Sequence, residues 1–246
     1  MSELLRSSGV LEIMPSAEIY EKECEYIPWK ETLDFVINWV SSKAQTNSRI
    51  LDLCCGPGFV LNEIESKRSD LFLYGIDKNN AFIEYASARS KRTVYICEDA
   101  ISFKPSQPFD VVLCTSGLHH LPYHKQENFL QLVSEWLSVD GIFVVGEIVL
   151  AKFTNPMERK IAALNLGARV LEFSIEREAP DEVVGALINV MRYDIFETGE
   201  FKLSDAKLTE LLSKRFSIMQ RVPIWRCPGG EDCVYLCKPR NEKPCV

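Results

Sequence analysis

Short apolar runs alternate with amphipathic segments between residues 30 and 150. The apolar runs predict buried strands, and the segments between them carry apolar residues at the three- and four-residue spacing of helices. Leu33, Val36 and Val40 show this spacing ahead of the first strand. Strands that alternate with helices favour a parallel, doubly wound sheet. The five predicted strands lie at 49–53, 71–76, 93–97, 109–114 and 142–149.

The pattern changes after residue 150. Residues 155–173 and 181–193 are predicted helices, and a third helix begins at Ser204. Two final strands are predicted at 216–223 and 233–237, with a turn between them. We therefore expect an α/β fold with a mostly parallel, seven-stranded, doubly wound sheet and a helical insertion between strands 5 and 6.

The first strand ends in a loop that carries little side chain. Ile50-Leu51-Asp52-Leu53 is followed by Cys54-Cys55-Gly56-Pro57-Gly58, and helical spacing resumes at Val60. Such a loop lets backbone N–H groups approach a ligand at a helix N-terminus. It predicts a nucleotide-type cofactor site at the carboxyl ends of the strands. A dinucleotide loop would place a third glycine where Leu61 stands.

Composition narrows the function classes. The formal charge is −7 and the chain has no cluster of basic residues, which disfavours a nucleic-acid partner. The longest apolar run, 142–150, is interrupted by Glu147 and is too short to span a bilayer, so we expect no membrane partner. Nine cysteines and no visible signal peptide indicate reduced thiols and a cytoplasmic protein. The cysteines at 227, 233, 237 and 245 lack zinc-site spacing.

The sequence resembles the class I S-adenosylmethionine-dependent methyltransferases, small-molecule type. Their first motif, acid-x-Gly-x-Gly-x-Gly, is matched by residues 52–58, with Cys54 in place of the first glycine. This variant is similar to that of quinone-pathway C-methyltransferases. The resemblance implies S-adenosyl-L-methionine as cofactor, with Asp77 on its ribose hydroxyls and Asp99-Ala100 at its adenine edge.

A carboxylate after the second strand can accept two hydrogen bonds from a diol, which fits Asp77 to a ribose. The plain alternative for Asp77 and Asp99 is a helix cap or a turn. The full set of cofactor residues that the resemblance implies is Asp52, Cys54, Gly56, Gly58, Asp77, Lys78, Asp99, Ala100, Cys114 and Tyr20.

All three histidines of the chain lie between residues 119 and 124. A near-neutral pKa suits histidine to general-base work, and His120 and His119 are the catalytic candidates. The resemblance places His120 where some family members use a base and others only pack a side chain. His120 and His124 are four residues apart, but Pro122 argues against one continuous helix that would let them share a metal. We expect no metal.

The acceptor is expected to bind beside the insertion. Residues predicted to contact it are Trp29, Glu147, Met191, Arg192 and Tyr193, although the 181–193 helix can equally bury an apolar face and expose Arg192. The expected organisation is one domain over 1–246. It comprises an N-terminal helical lid (1–45), a cofactor-binding core (46–150), a helical acceptor-binding insertion (151–215) and the final strands and tail (216–246).

The expected reaction is methylation of an oxygen, nitrogen or carbon atom of a small molecule. Three other functions stay open. A carboxy-S-adenosylmethionine synthase relative would need a cationic group near the methyl position, with Arg192 or Arg169 as candidates. A nicotinamide-dependent oxidoreductase is disfavoured by Leu61. A non-catalytic ligand-binding module would keep the glycine loop without a base. A homodimer also stays open.

Overall fold

The computed structural model describes residues 16–240, which form a seven-stranded sheet of order β3-β2-β1-β4-β5-β7-β6. Strands β1 to β5 pair in parallel, whereas β7 is antiparallel to both β5 and β6. The predicted mostly parallel α/β sheet is confirmed. The strands are β1 Arg49–Leu53, β2 Phe72–Asp77, β3 Val94–Cys97, β4 Phe109–Thr115, β5 Leu137–Leu150, β6 Phe216–Cys227 and β7 Gly230–Pro239.

Eight α-helices are present in the described residues. Some begin at side-chain caps: Asn79 accepts from Ala81 N ahead of α4, and Asn155 accepts from Glu158 N ahead of α6. The helices are α1 Ala17–Glu23, α2 Trp29–Lys43, α3 Phe59–Lys67, α4 Asn80–Arg89, α5 Tyr123–Trp136, α6 Pro156–Glu176, α7 Asp181–Phe196 and α8 Asp205–Ser213. A 3₁₀ turn, Leu118–His120, follows β4.

Strand β5 begins earlier than the predicted residue 142, because it runs from Leu137 without a break. Leu137 pairs with Phe109, and Ile142 pairs with Val111. The residues between Leu137 and Ile142 therefore outnumber those on the facing strand and form a bulge, with Val139 exposed. A Val-Asp-Gly sequence suits such a bulge as well as it suits a turn.

The sheet is covered on both faces by apolar clusters, as a parallel sheet requires. A third cluster joins Leu150 and Phe153, at and just beyond the end of β5, to Ala163 and Leu166 of α6. This contact attaches the insertion to the sheet, on the side of the strand ends where a ligand is expected.

No helix within residues 16–240 is long and apolar enough to cross a membrane. The first fifteen residues of the predicted lid, and the tail from 241 on with Cys245, lie outside the described residues.

Candidate active site

The loop after β1 adopts a backbone that favours glycine. Three of its residues have positive φ: Cys54 at 58°, Gly56 at 53° and Gly58 at 83°. A Cβ on Gly58 would lie 2.7 Å from the Ala86 side chain, so only glycine fits that position. Cys54 is the one non-glycine residue among these three, and a non-glycine residue rarely adopts this conformation.

Two carboxylates lie under this loop. Asp77 accepts hydrogen bonds from Gly56 N at 2.9 Å and from Asn79 N at 2.8 Å, so it fixes the loop to the end of β2. Asp52 is 1% exposed, and neither of its side-chain oxygens has a partner in the described residues. Burial, and then the charge of Asp77, raise the pKa of Asp52 to about 7. An unpartnered buried carboxyl beside a ligand loop is a group for a bound ligand to satisfy.

An open cavity of about 520 Å³ lies over the loop and reaches between α6 and α7. This volume is within the range of small-molecule sites. Eight of the residues predicted from sequence line it: Tyr20, Trp29, Cys54, Gly56, His119, His120, Met191 and Tyr193.

His119 is buried between two carboxylates. Its Nδ1 lies 2.6 Å from Glu147 Oε2, and its Nε2 lies 3.3 Å from Glu200 Oε2. Burial alone would lower the pKa of His119, but the charges of Glu147 and Glu200 raise it overall. Because both ring nitrogens face carboxylate oxygens, this geometry favours the doubly protonated form of His119, which has no free lone pair with which to act as a base.

His120 differs from its neighbour. Its Nδ1 lies 3.2 Å from the Gly199 carbonyl oxygen, which can only accept, so Nδ1 carries the proton and Nε2 keeps a free lone pair. Desolvation by the surrounding cavity walls, and then the charge of His119, lower the pKa of His120. The side chain is 45% exposed and lines the cavity. His120 is thus neutral near pH 7 and available as a base.

A buried charge cluster ties the histidines to the insertion. Lys202 contacts Glu200 and lies 3.5 Å from Asp194 Oδ2, and Arg159 Nη2 lies 2.8 Å from Asp194 Oδ1. Burial would raise the pKa of Glu200, but Lys202, His119 and His120 lower it to about 2. Every one of these charges is compensated, as buried charges must be.

Helix α1 closes one side of the cavity. Glu21 accepts from Tyr85 of α4 at 2.8 Å and contacts Arg89 of the same helix. At the other end, Ser174 of α6 donates to the Tyr26 carbonyl oxygen at 2.9 Å. The segment therefore bridges α4 and the insertion, and it holds Tyr20 over Gly56.

Residues 50–141 match a family described as "Methyltransferase domain". Carboxy-S-adenosyl-L-methionine synthase of Campylobacter fetus is 29% identical over 49% of this chain and 53% of that protein. Trans-aconitate 2-methyltransferase of Methylobacterium radiotolerans is 32% identical over 46% of this chain and 43% of that protein. The matched region thus spans about half the length of these two curated relatives.

The chain thus has the class I methyltransferase fold, with a methyltransferase-family match over residues 50–141. Its fold matches that of the N-methyltransferase NodS of Bradyrhizobium japonicum in complex with S-adenosyl-L-homocysteine. That match has a TM-score of 0.59 at 13% identity and covers 92% of this chain and 99% of that one. The family match, together with the S-adenosyl-L-homocysteine bound in that neighbour, favours S-adenosylmethionine over a nicotinamide dinucleotide as the cofactor.

Other residues assigned by the methyltransferase resemblance lie outside the cavity lining: Asp52, Gly58, Asp77, Lys78, Asp99, Ala100 and Cys114. Asp77 borders it through its bond to Gly56. Asp99 is exposed and accepts from Ile101 N at 2.8 Å, the turn role that was its alternative. Cys114 is fully buried; its thiol faces the side of Gly117, where the Cys54 thiol also lies.

Two residues predicted to contact the acceptor lie outside the cavity lining. Glu147 does not line the cavity, because its oxygens are taken by Leu118 N, at 3.0 Å, and by His119. Arg192 is exposed on α7 and also lies outside the lining. Glu147 therefore orients His119, and the exposure of Arg192 agrees with the alternative in which the helix buries an apolar face. The sequence analysis missed Glu23, Glu200, Lys202 and Asp232, all of which are buried and line the cavity.

Two groups of side chains in residues 16–240 bring three potential metal ligands within 4.8 Å of one another. In the first group, His120 Nδ1 donates to Gly199 and Glu200 is held by Lys202. In the second, Asp205 and Glu231 pair with arginines. These ligand atoms already have partners, so a metal would have to displace them. The absence of a metal stays a prediction.

Proposed function

We propose that this protein transfers a methyl group from S-adenosylmethionine to a small-molecule acceptor, with His120 as the base. The observation that carries the proposal is the cavity that joins the glycine loop to the free Nε2 of His120. The loop and Tyr20 would hold the cofactor, and α6 and α7 would hold the acceptor. Asp77 would bind the ribose while it fixes the loop.

The reaction needs an in-line approach of the acceptor atom to the methyl carbon. Most of the rate would come from aligning the two centres and excluding water, for which α1 and the insertion provide the walls. His120 Nε2 would take the proton that the acceptor loses. His119 is a positioning residue in this scheme, because its charge keeps His120 neutral.

A carboxy-S-adenosylmethionine synthase activity is the second candidate, favoured by the similarity to the Campylobacter relative. Its chemistry needs a cation to hold a carboxylate. Lys202 is the one Lys or Arg among the described residues that line the cavity, and it already contacts two carboxylates. The missing free cation is the reason to prefer simple methyl transfer.

Cofactor binding is the first test. Calorimetric titration should show binding of S-adenosylhomocysteine and none of the nicotinamide dinucleotides. Asp77→Ala should weaken that binding by about 1.5–3 kcal/mol, the value of a hydrogen bond to a charged group. The exposed Asp140→Ala is the matched control and should change nothing. No binding of S-adenosylhomocysteine would refute the proposal.

Turnover tests the base, with an acceptor taken from a screen of small metabolites. His120→Ala should lower kcat by about 10²–10⁴-fold, the usual contribution of a general base. Its affinity for S-adenosylhomocysteine should be unchanged. His124→Ala, an exposed histidine on α5, is the matched control. Equal kcat for both variants would show that His120 only packs, and affinity without turnover of any acceptor would favour the non-catalytic module.

A further inference from the structure

The charges that line the cavity can be sorted by whether they have a partner. Glu21 contacts Arg89, Glu182 contacts Lys22, and the charge cluster around Lys202 is internally compensated. His119 is balanced by Glu147. Among the described residues that line the cavity, these pairs leave two carboxyls: Glu23, whose Oε1 is buried without a hydrogen bond, and Asp232, which has neither a hydrogen bond nor an ion pair there.

Both unpaired carboxyls are more than nine-tenths buried, at 8% exposed for Glu23 and 3% for Asp232. Burial raises the pKa of each to about 7. A buried carboxyl that faces a cavity with no partner is costly unless a ligand supplies a cation or hydrogen-bond donors. The cavity is therefore built for contents with more positive than negative charge.

The cofactor accounts for one of the two carboxyls. S-adenosylmethionine carries a sulfonium, an ammonium and a carboxylate, which gives it one net positive charge. Glu23 lies on α1, the helix whose Tyr20 sits over the glycine loop, and so belongs to the cofactor end.

Asp232 lies on a different element of the cavity wall. It is on β7 opposite Ile148 of β5, near the charges of Lys202 and His119. Apolar side chains of the insertion line the same cavity: Ala163, Leu166, Val170, Leu187 and Met191. This part of the wall thus combines apolar side chains with one carboxyl that has no direct hydrogen-bond or ion-pair partner.

We propose that the acceptor is an apolar amine whose amino group is bound by Asp232. This inference rests on the proposed function and narrows its substrate class. Asp232 would then select amines and reject carboxylic acids. A site for trans-aconitate or another polyacid would need the opposite charge at this position.

The test uses three probes with the same apolar body: 4-phenylbutylamine, 4-phenylbutan-1-ol and 4-phenylbutyrate. Each is titrated calorimetrically into the full chain saturated with S-adenosylhomocysteine. The amine should bind at least about tenfold tighter than the acid, with the alcohol between them. In Asp232→Asn, which keeps the shape and removes the charge, this preference should fall below about threefold.

Two variants control the test. Asp140→Asn removes an exposed carboxylate elsewhere and should keep the tenfold preference. Glu23→Gln should weaken the binding of S-adenosylmethionine, which carries the net positive charge, and leave the ratio of amine to acid affinity unchanged. This variant tests the division of the cavity even if Asp232→Asn does not fold.

Equal or tighter binding of the acid, no binding of the amine, or an unchanged preference in Asp232→Asn would overturn the inference. A protein that does not bind S-adenosylhomocysteine would instead overturn the proposed function, so the two failures can be told apart.

Discussion

Cys54 shows how a residue can depart from its family motif without losing the fold. It stands where the methyltransferase motif has its first glycine, with φ of 58°. A side chain costs about 1–2 kcal/mol in this conformation. The thiol packs near Gly117, and the absence of a Cβ on Gly117 leaves room for it, because such a Cβ would lie 2.9 Å from Cys54 Cβ. Strain and packing therefore oppose each other at Cys54.

Cys54→Gly should leave the free energy of unfolding within about 1 kcal/mol of the parent. Relief of strain is offset by lost packing and by the greater freedom of glycine in the unfolded chain. Cys54→Val should lower it by more than about 2 kcal/mol, because a β-branched side chain fits this backbone poorly. Urea unfolding measures both. A glycine variant as unstable as the valine variant would show that packing of the thiol dominates.

The two adjacent histidines should titrate on opposite sides of the ordinary histidine pKa of about 6.5. Glu147 and Glu200 raise the pKa of His119, so it stays protonated to higher pH. Desolvation and the charge of His119 lower that of His120, so it becomes protonated only at lower pH. Base catalysis by His120 should accordingly persist at neutral pH and fail on acidification. NMR titration of the ring signals, assigned with His→Gln variants, measures both values.

Glu147→Gln provides the decisive variant for this pair. Loss of the carboxylate charge should lower the pKa of His119, and a neutral His119 should in turn raise the pKa of His120. Parallel shifts of both histidines in the same direction would contradict the proposed coupling.

The sequence predicted cavity residues where a motif or a strand end marks them, as at Gly56 and His120. It missed Glu200, Lys202 and Asp232 because no spacing distinguishes a buried charged residue from an exposed one. Asp232 offered one signal, a carboxylate entering the apolar strand Cys233–Cys237. Glu147 carries the same signal in β5, but its side chain faces His119 and not the cavity.

At the scale of elements, periodicity predicted the core well and the ends poorly. The bounds of β1 match the predicted 49–53, because the glycine loop ends the strand sharply. The insertion helices run longer than predicted: α6 reaches Glu176 and α7 reaches Phe196. Apolar residues such as Ile175 and Phe196 are exposed near the ends of these helices. Because they break the alternation of apolar and polar positions, the sequence pattern did not mark where each helix ends.

Helix α1 is a short element whose position depends on tertiary contacts. At seven residues it is too short to be stable alone. Glu21→Ala removes its contacts to Tyr85 and Arg89, so the helix should detach from α4 more often. We expect the dissociation rate of S-adenosylhomocysteine to rise roughly tenfold, about 1.4 kcal/mol. Stopped-flow fluorescence measures this rate.

Glu25→Ala is the control for the lid, since Glu25 is an exposed residue of the same segment. It should leave the rate unchanged. An unchanged rate in Glu21→Ala would mean that α1 does not gate the cofactor.

At the scale of the whole molecule, alternation of strands and helices was enough to predict the fold, whereas the acceptor was not predictable. The insertion contains no motif, and its specificity arises from charges such as Asp232 and Lys202, which come together only when β7 and the loop after α7 pack. The homodimer stays a prediction that sedimentation equilibrium can check.

The described residues should unfold as one unit, because α6 packs on β5 and β7 and α1 joins α7 to α4. Calorimetry should therefore show a single transition.

S-adenosylhomocysteine at 100 times its Kd should add about 2.7 kcal/mol to the free energy of unfolding. For a chain of this length each kcal/mol raises Tm by about 2–4 °C, so the whole transition should move up by about 5–11 °C. Asp77→Ala should show a smaller shift at the same ligand concentration. Two transitions, with only one moved by the ligand, would mean that the insertion is a separate folding unit and that the expected single domain is wrong.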